Sequence, residues 1–338
     1  MSTLMQAVNR LAAVVVDTNL YHKAIDSKLL KSKGVRANIV RASGSLNKDP
    51  MLEALYADSQ RAELPTPAYH WLDPIQNVER QLNVFLGATA GKNIPFYVLD
   101  IEQWWGNWGA WYEAIARRIE WALVPRLRPD LIDRHALQSA QYLSAKVNKP
   151  VLIYTSFGFV RSWAPGMRTW LGNYDSWFAN YVISSPVKIT TTWEELYRRY
   201  LPPIGRVPLV PDGTRPERIR GWQYSADLIS LPGLYSDANR TRLKPADLNV
   251  FDPAWLAHVC DGTPIAPPPP PPPLQYRVRA WVTLGLRLRA APNTISNILQ
   301  VMPAGTVMTA AGETTGTWIR VVADGQNGWV HGDYVERI

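Results

Sequence analysis

At 338 residues the chain exceeds the roughly 100 to 200 residues of an ordinary domain, so at least two domains are expected. Its 46% hydrophobic and 19% charged residues exclude a disordered chain, and its one cysteine, Cys260, excludes an intramolecular disulfide. The net charge of +8 suits polyanionic surroundings, but +6 lies before Pro264 and +2 after it, and no block of lysines or arginines forms a nucleic-acid-binding arm.

The chain begins MSTLMQAVNRLAAVVVDTN. The apolar run Ala12 to Val16 is too short for the core of a signal peptide and no small-residue cleavage site follows it, so it is expected to be a buried strand. Nothing approaches the ~20 apolar residues of a membrane span. Similar runs recur at Ala37 to Val40, Phe96 to Leu99 and Val151 to Tyr154. Strands this apolar are buried on both faces of a parallel sheet, and the segments Trp111 to Leu123 and His135 to Val147 suit the helices that cross between them. The fold class expected is α/β, a (β/α) barrel or a close relative.

Two of these strands end in acids. In Phe96-Tyr97-Val98-Leu99-Asp100-Ile101-Glu102 the carboxylates stand at i and i+2, which share a face of a strand and lie roughly 7 Å apart. Barrels place their active sites at the C-terminal ends of strands. Like charges that close raise the pKa of one, setting a proton donor beside an anion, as glycosidic cleavage requires. Asp17 ends the run Ala13 to Val16 in the same way, so two strands deliver acids to one mouth. A spacing near 7 Å is wider than the roughly 5 to 5.5 Å of a pair with a carboxylate nucleophile, and it also fits inversion by direct attack of water.

Pro267 to Pro273 is an unbroken proline run without backbone donors, expected to form a stiff polyproline II spacer of roughly 20 Å. A ligand for an SH3-type groove is the other use of such a run. Beyond it short strands alternate with glycine turns: Tyr276 to Val282, Leu286 to Arg289, Val307 to Ala310, Trp318 to Val322 and Trp329 to Val330, expected to close into a small β-barrel.

Taken in order, several motifs resemble the glycoside hydrolase family 25 lysozymes. Val16-Asp17-Thr18-Asn19 with Tyr21 is similar to that family's first strand, and Ala68-Tyr69-His70-Trp71 to its Gly-x-Tyr-His-Phe strand. Leu99-Asp100-Ile101-Glu102 matches its Asp-x-Glu, Tyr154-Thr155 its fifth strand, and Trp177-Phe178-Ala179-Asn180-Tyr181 its Trp-x-Ala-x-Tyr. Trp222-Gln223-Tyr224 and Asp247-Leu248-Asn249-Val250-Phe251 resemble its closing motifs. The resemblance implies Glu102 as general acid, Asp100 as its partner, Asp17 and Asp247 as acids of the cleft, and Tyr69, Tyr154, Trp177, Trp222 and Tyr224 as sugar-facing walls. His70 reads as a hydrogen-bonded structural histidine. Where the family has Lys-Ala-Thr-Glu-Gly this chain has Arg41-Ala42-Ser43-Gly44-Ser45, without the acid, and it carries extra tryptophan-rich sequence at Trp104, Trp105, Trp108 and Trp111. The tail resembles bacterial SH3 domains through Gly285 to Pro292, Trp318 to Val321 and Gly328 to His331, which implies binding to peptidoglycan peptides.

The organisation expected is thus a catalytic domain over residues 1–262, a linker over 263–275 and a wall-binding domain over 276–338. The resemblance implies a monomeric muramidase that cleaves the β-1,4 bond between N-acetylmuramic acid and N-acetylglucosamine, with bacterial peptidoglycan as partner, no nucleic acid, no cofactor and no metal. With no export signal read in the sequence, release by a phage holin, by lysis or on a virion or other secreted particle is expected. A chitinase-like glycosidase and a non-catalytic wall-binding or virion protein are the competing readings.

Overall fold

The computed structural model describes residues 3–106, 124–183, 189–201, 208–260 and 275–338. The chain divides into two compact units, Met1–Pro270 and Pro271–Ile338. The helix expected over Trp111 to Leu123 and the proline run lie outside the described residues.

Among the described residues the first unit forms a closed barrel of eight main strands: β1 (Ala13–Thr18), β2 (Ala37–Gly44), β3 (Ala68–Trp71), β4 (Tyr97–Asp100), β5 (Val151–Ser156), β6 (Asp175–Ala179), β7 (Ile219–Tyr235) and β8 (Leu243–Phe251), with three two-residue strands, Ala24–Ile25, Asn47–Lys48 and Ile189–Thr190, paired onto it. Strands β1 to β7 run parallel, each beside the next. The ring closes through β8, which is antiparallel to both β7 and β1. Helices cross between strands: α1 (Thr3–Asn9) precedes the barrel, then α2 (Ser27–Ser32), α3 (Leu52–Arg61), α4 (Val78–Thr89), α5 (Pro129–Lys146), α6 (Phe157–Trp163) and α7 (Trp193–Arg199) alternate with strands, and α8 (Pro253–Cys260) follows β8. Helix α5 starts six residues ahead of the expected His135, because Pro129 supplies a first-turn position that needs no N–H donor. Ser156 both ends β5 and caps α6 by accepting from the Phe159 amide at 3.1 Å, so the turn that faces the barrel mouth contains no spare residue.

The strand period of two fills the barrel in layers. Ala13, Val15, Ala37, Ile39, Val98, Leu152 and Phe251 belong to one buried apolar cluster. Trp255, Leu256 and Val259 of α8 join the same cluster, with the Trp255 ring 5.0 Å from Phe96 and 6.5 Å from Phe251. Helix α8 thus plugs the N-terminal end of the barrel. Opposite Phe251 stands Gly221, where an added Cβ would lie 2.6 Å from the Phe251 ring; the phenyl group fits only because residue 221 has no side chain.

The second unit has seven strands: β9 (Gln275–Val278), β10 (Leu286–Arg289), β11 (Ile298–Met302), β12 (Val307–Thr315), β13 (Trp318–Ala323), β14 (Gln326–His331) and β15 (Val335–Arg337). Their hydrogen-bonded order is β11-β10-β14-β13-β12-β9-β15. They wrap a single core containing Val278, Leu288, Met302, Met308, Val321 and Val330. The first strand stops at Val278, four residues short of the expectation, and β11 was not expected at all. Its Ile298-Leu299-Gln300-Val301-Met302 leaves Ile298, Leu299 and Val301 exposed, so it lacks the polar and apolar alternation by which a half-buried strand is read.

Candidate active site

Moving two residues further along each inward row leads out of the apolar core and into a cleft of about 620 Å³. Val15 is followed by Asp17, Ile39 by Arg41, Val98 by Asp100, and Leu152 by Tyr154; on antiparallel β8, Phe251 leads back to Asn249 and Asp247. Pairing fixes the neighbours: Asp17 opposes Asp247, Trp71 opposes Asp100, Asp100 opposes Tyr154, and Tyr154 opposes Trp177. Asp17, Asp100, Glu102 and Asp247 therefore converge in one cleft at the C-terminal ends of the parallel strands.

The four acids are held differently. Oδ2 of Asp17 accepts from Asn249 Nδ2 at 2.9 Å and from Gln223 Nε2 at 3.1 Å. Those amides are themselves oriented: Tyr154 Oη and Tyr181 Oη donate to Gln223 Oε1 at 2.6 and 3.0 Å, and Trp177 Nε1 donates to Asn249 Oδ1 at 2.9 Å. Asp247 Oδ1 accepts from the Asp227 amide at 3.1 Å. The buried Oδ1 of Asp100 has no hydrogen-bond partner among the described residues. Glu102 lies two residues past Asp100, beyond the end of β4, and no hydrogen bond to its carboxyl is formed among the described residues.

Burial governs their protonation, since a carboxylate removed from water is disfavoured against the neutral acid. It pushes Glu102 up to about 7, helped by the charge of Asp247. It pushes Asp17 up to about 7 as well, against the hydrogen bonds from Asn249 and Gln223. Asp100 is held well above the usual range by burial and then by Glu102 and Asp17, and Asp247 by burial and then by Asp17 and Asp227. Such a group holds protons near neutrality and can pass one on, which is the requirement of general acid catalysis. Among the described residues no three His, Cys, Asp or Glu side chains are grouped to hold a metal ion.

Tyr69, Tyr154 and Trp177 line the cleft. Trp222 and Tyr224, expected as walls, do not: both are buried on the outer side of β7, Trp222 stacked on Phe178 and donating to the Asn180 carbonyl at 2.9 Å. The reason is the period of two, because Gln223 between them points inward and its neighbours must point out. Gln223, Tyr181 and Trp71 also line the cleft, and Asn249, buried beneath it, holds Asp17; none of the four was assigned a role from the sequence. The signal existed for Asn249, two residues from Asp247 on one strand face. His70 points away from the cleft and is buried between Ser43 Oγ at 2.8 Å and Gln81 Oε1 at 3.0 Å. Arg41 enters the cleft with its Nε on Asp49 Oδ2 at 2.6 Å. Of the extra tryptophans, Trp105 is buried and Trp104 stacks on Trp163 with centroids 4.8 Å apart; Trp108 and Trp111 lie outside the described residues.

The model of the glycosyl hydrolases family 25 matches residues 16–234, well over half of the sequence. The chain belongs to glycosyl hydrolases family 25. The family 25 match ends at Leu234, so Asp247 and Asn249 lie beyond it and owe their place to the insertion of β8 between β7 and β1. A bacterial SH3 domain model matches residues 284–336. Among solved structures the chain is similar to the Clostridium perfringens spore cortex lytic enzyme SleM, at 15% identity over 97% of each chain with a TM-score of 0.51, a likeness of fold. It is also similar to a bacterial lysozyme from Streptomyces coelicolor (18% identity, 75% of this chain and 98% of that one, TM-score 0.49) and to the CTP1L endolysin (16%, 75% and 71%, TM-score 0.48). A comparison with curated proteins finds no match.

Proposed function

We propose that this family 25 glycoside hydrolase is a muramidase that cleaves the β-1,4 bond between N-acetylmuramic acid and N-acetylglucosamine in peptidoglycan, with its chemistry carried by Asp17, Asp100, Glu102 and Asp247. The observation that carries the reading is the convergence of those four acids in one aromatic-walled cleft, one of them, Glu102, unbonded and raised to about 7. Glu102 is the general acid: its proton is retained near neutrality and no hydrogen bond among the described residues competes for it, so it is available to the leaving glycosidic oxygen. Asp100 is its partner, with an unsatisfied Oδ1 placed to orient the substrate's acetamido group as that group's carbonyl oxygen attacks the anomeric carbon. Asp17 and Asp247 complete the acidic floor, and Tyr69, Tyr154 and Trp177 contact the sugars. Analysis of muropeptides released from digested wall tests the bond assignment: reducing ends at N-acetylmuramic acid support it, and reducing ends at N-acetylglucosamine overturn it.

The domain assignment, residues 1–262 catalytic, 263–275 linker and 276–338 wall-binding, belongs to the same reading and is supported by the position of the SH3 match. So do a monomeric state, the absence of a nucleic-acid partner, and release to the wall by a holin, by lysis or on a virion or other secreted particle. Among the described residues no helix is long and apolar enough to cross a membrane.

A further inference from the structure

We propose that Trp71 is the platform of a sugar subsite beside the reacting bond, taking the apolar face of an N-acetylhexosamine ring; this rests on the reading of the cleft as a glycan site. Trp71 is the last residue of β3, on the same inward face as Tyr69, and its part-exposed ring lines the cleft. In register it stands between Gly44 on one side and Asp100 on the other. A ring stacked there is one strand away from the acids.

Gly44 adjoins the indole closely: a Cβ at position 44 would lie 3.2 Å from the Cβ of Trp71, so a side chain there would need Trp71 to give by a few tenths of an ångström.

The indole is also held. Its Nε1 donates to Gln103 Oε1 at 3.1 Å, and Gln103 Nε2 donates to Asp73 Oδ1 and to the Trp105 carbonyl, both at 3.0 Å. The other oxygen of Asp73 accepts from Ser45 Oγ at 2.8 Å, which ties the turn after Gly44 to the same carboxylate. Gln103 and Asp73 are fully buried, and Trp105 packs 6.2 Å behind Trp71. A ring held by Gln103 at the wall of the cleft is fixed before binding and loses little freedom on binding.

The test is steady-state hydrolysis of soluble, uncross-linked peptidoglycan strands. Trp71→Ala is expected to raise KM about tenfold, ~1.4 kcal/mol of binding, with kcat within about threefold, because the platform binds ground and transition states alike. Trp71→Phe, which keeps a ring face, is expected to restore most of the affinity. Gln103→Met frees the indole without removing it and is expected to raise KM by an intermediate factor, a readout that stands if Trp71→Ala fails to fold. An unchanged KM in the folded variants, or a loss confined to kcat, overturns the subsite. If the wild-type protein leaves the strands uncut, the muramidase reading falls with it; if it cuts them and Trp71→Ala cuts them with the same KM, only the platform falls.

Discussion

Glu102 stands apart from Asp17 and Asp247 because no hydrogen bond among the described residues compensates its burial, and that difference has two measurable effects. Glu102→Gln keeps the shape and removes the proton donor, so wall-clearing activity is expected to fall by about 10²- to 10⁴-fold with the fold intact. A variant keeping more than about a tenth of wild-type activity would remove Glu102 from the acid's role. The second effect is on stability. The carboxyl has an ordinary value of 4.5 and about 7 in the folded chain, so between those limits the folded state binds more protons than the unfolded one, and stability falls as pH rises through them. Glutamine never charges; the melting temperature of Glu102→Gln relative to wild type is therefore expected to rise from pH 5 to pH 8, and a constant difference would mean that the carboxyl is not strained by burial. The course of the reaction is read in the product: proton NMR of the first-formed reducing end should give the β-anomer if the acetamido group participates, and an initial α signal would require direct attack by water. Asp17 and Asp100 were legible in the sequence because each ends an apolar run, and Glu102 through its spacing from Asp100, whereas Asp247 was reached only through the family resemblance. Gln223 and Tyr181 were not legible, since what makes them part of the site is a set of hydrogen bonds that joins Tyr154 and Tyr181 to Gln223 and Gln223 to Asp17, residues far apart in sequence.

For whole elements the governing regularity is the alternation of strand faces. It holds for Asp17 on β1 and Asp100 on β4, whereas Glu102 lies beyond the end of β4; at β7 motif likeness points Trp222 and Tyr224 inward, where Gln223 stands. A barrel strand covered by helices is apolar on both faces, so hydrophobicity does not say which face is which, and only the polar residue marks the cleft side. The consequence is testable. Trp222→Ala empties a packed site against Phe178 and is expected to cost about 3–5 kcal/mol in chemical denaturation. KM for soluble glycan should stay within about twofold, since the ring touches no substrate. A raised KM with unchanged stability would restore Trp222 to the cleft wall. In the second unit β11 went unread for the converse reason, that its exposed apolar residues carry no periodic signal.

At the scale of the molecule, the proposed reading divides affinity from chemistry between the two units. A chain ended near Pro264 is expected to cut soluble glycan at the wild-type rate and to clear intact walls poorly, because a tethered second site can add about 10²- to 10⁴-fold in avidity without touching the reaction. Equal retention of the shortened and full-length proteins on sedimented walls would remove the binding role from residues 276–338. The two-unit organisation was legible from the proline run and the change of strand rhythm, whereas closure of the barrel by an antiparallel strand was not, because strand direction leaves no mark on composition. That closure bears on how the protein is made. Strand β1 leaves the ribosome before the other strands of its barrel, yet one of its two neighbours, β8, and the α8 plug beneath it are among the last parts of the first unit to be synthesised. Contacts this distant in sequence form slowly, and a nascent chain must wait with an open sheet edge until residue 251 has emerged. The acid cleft, which needs Asp17 and Asp247 side by side, is therefore assembled only when synthesis of its own domain is nearly over.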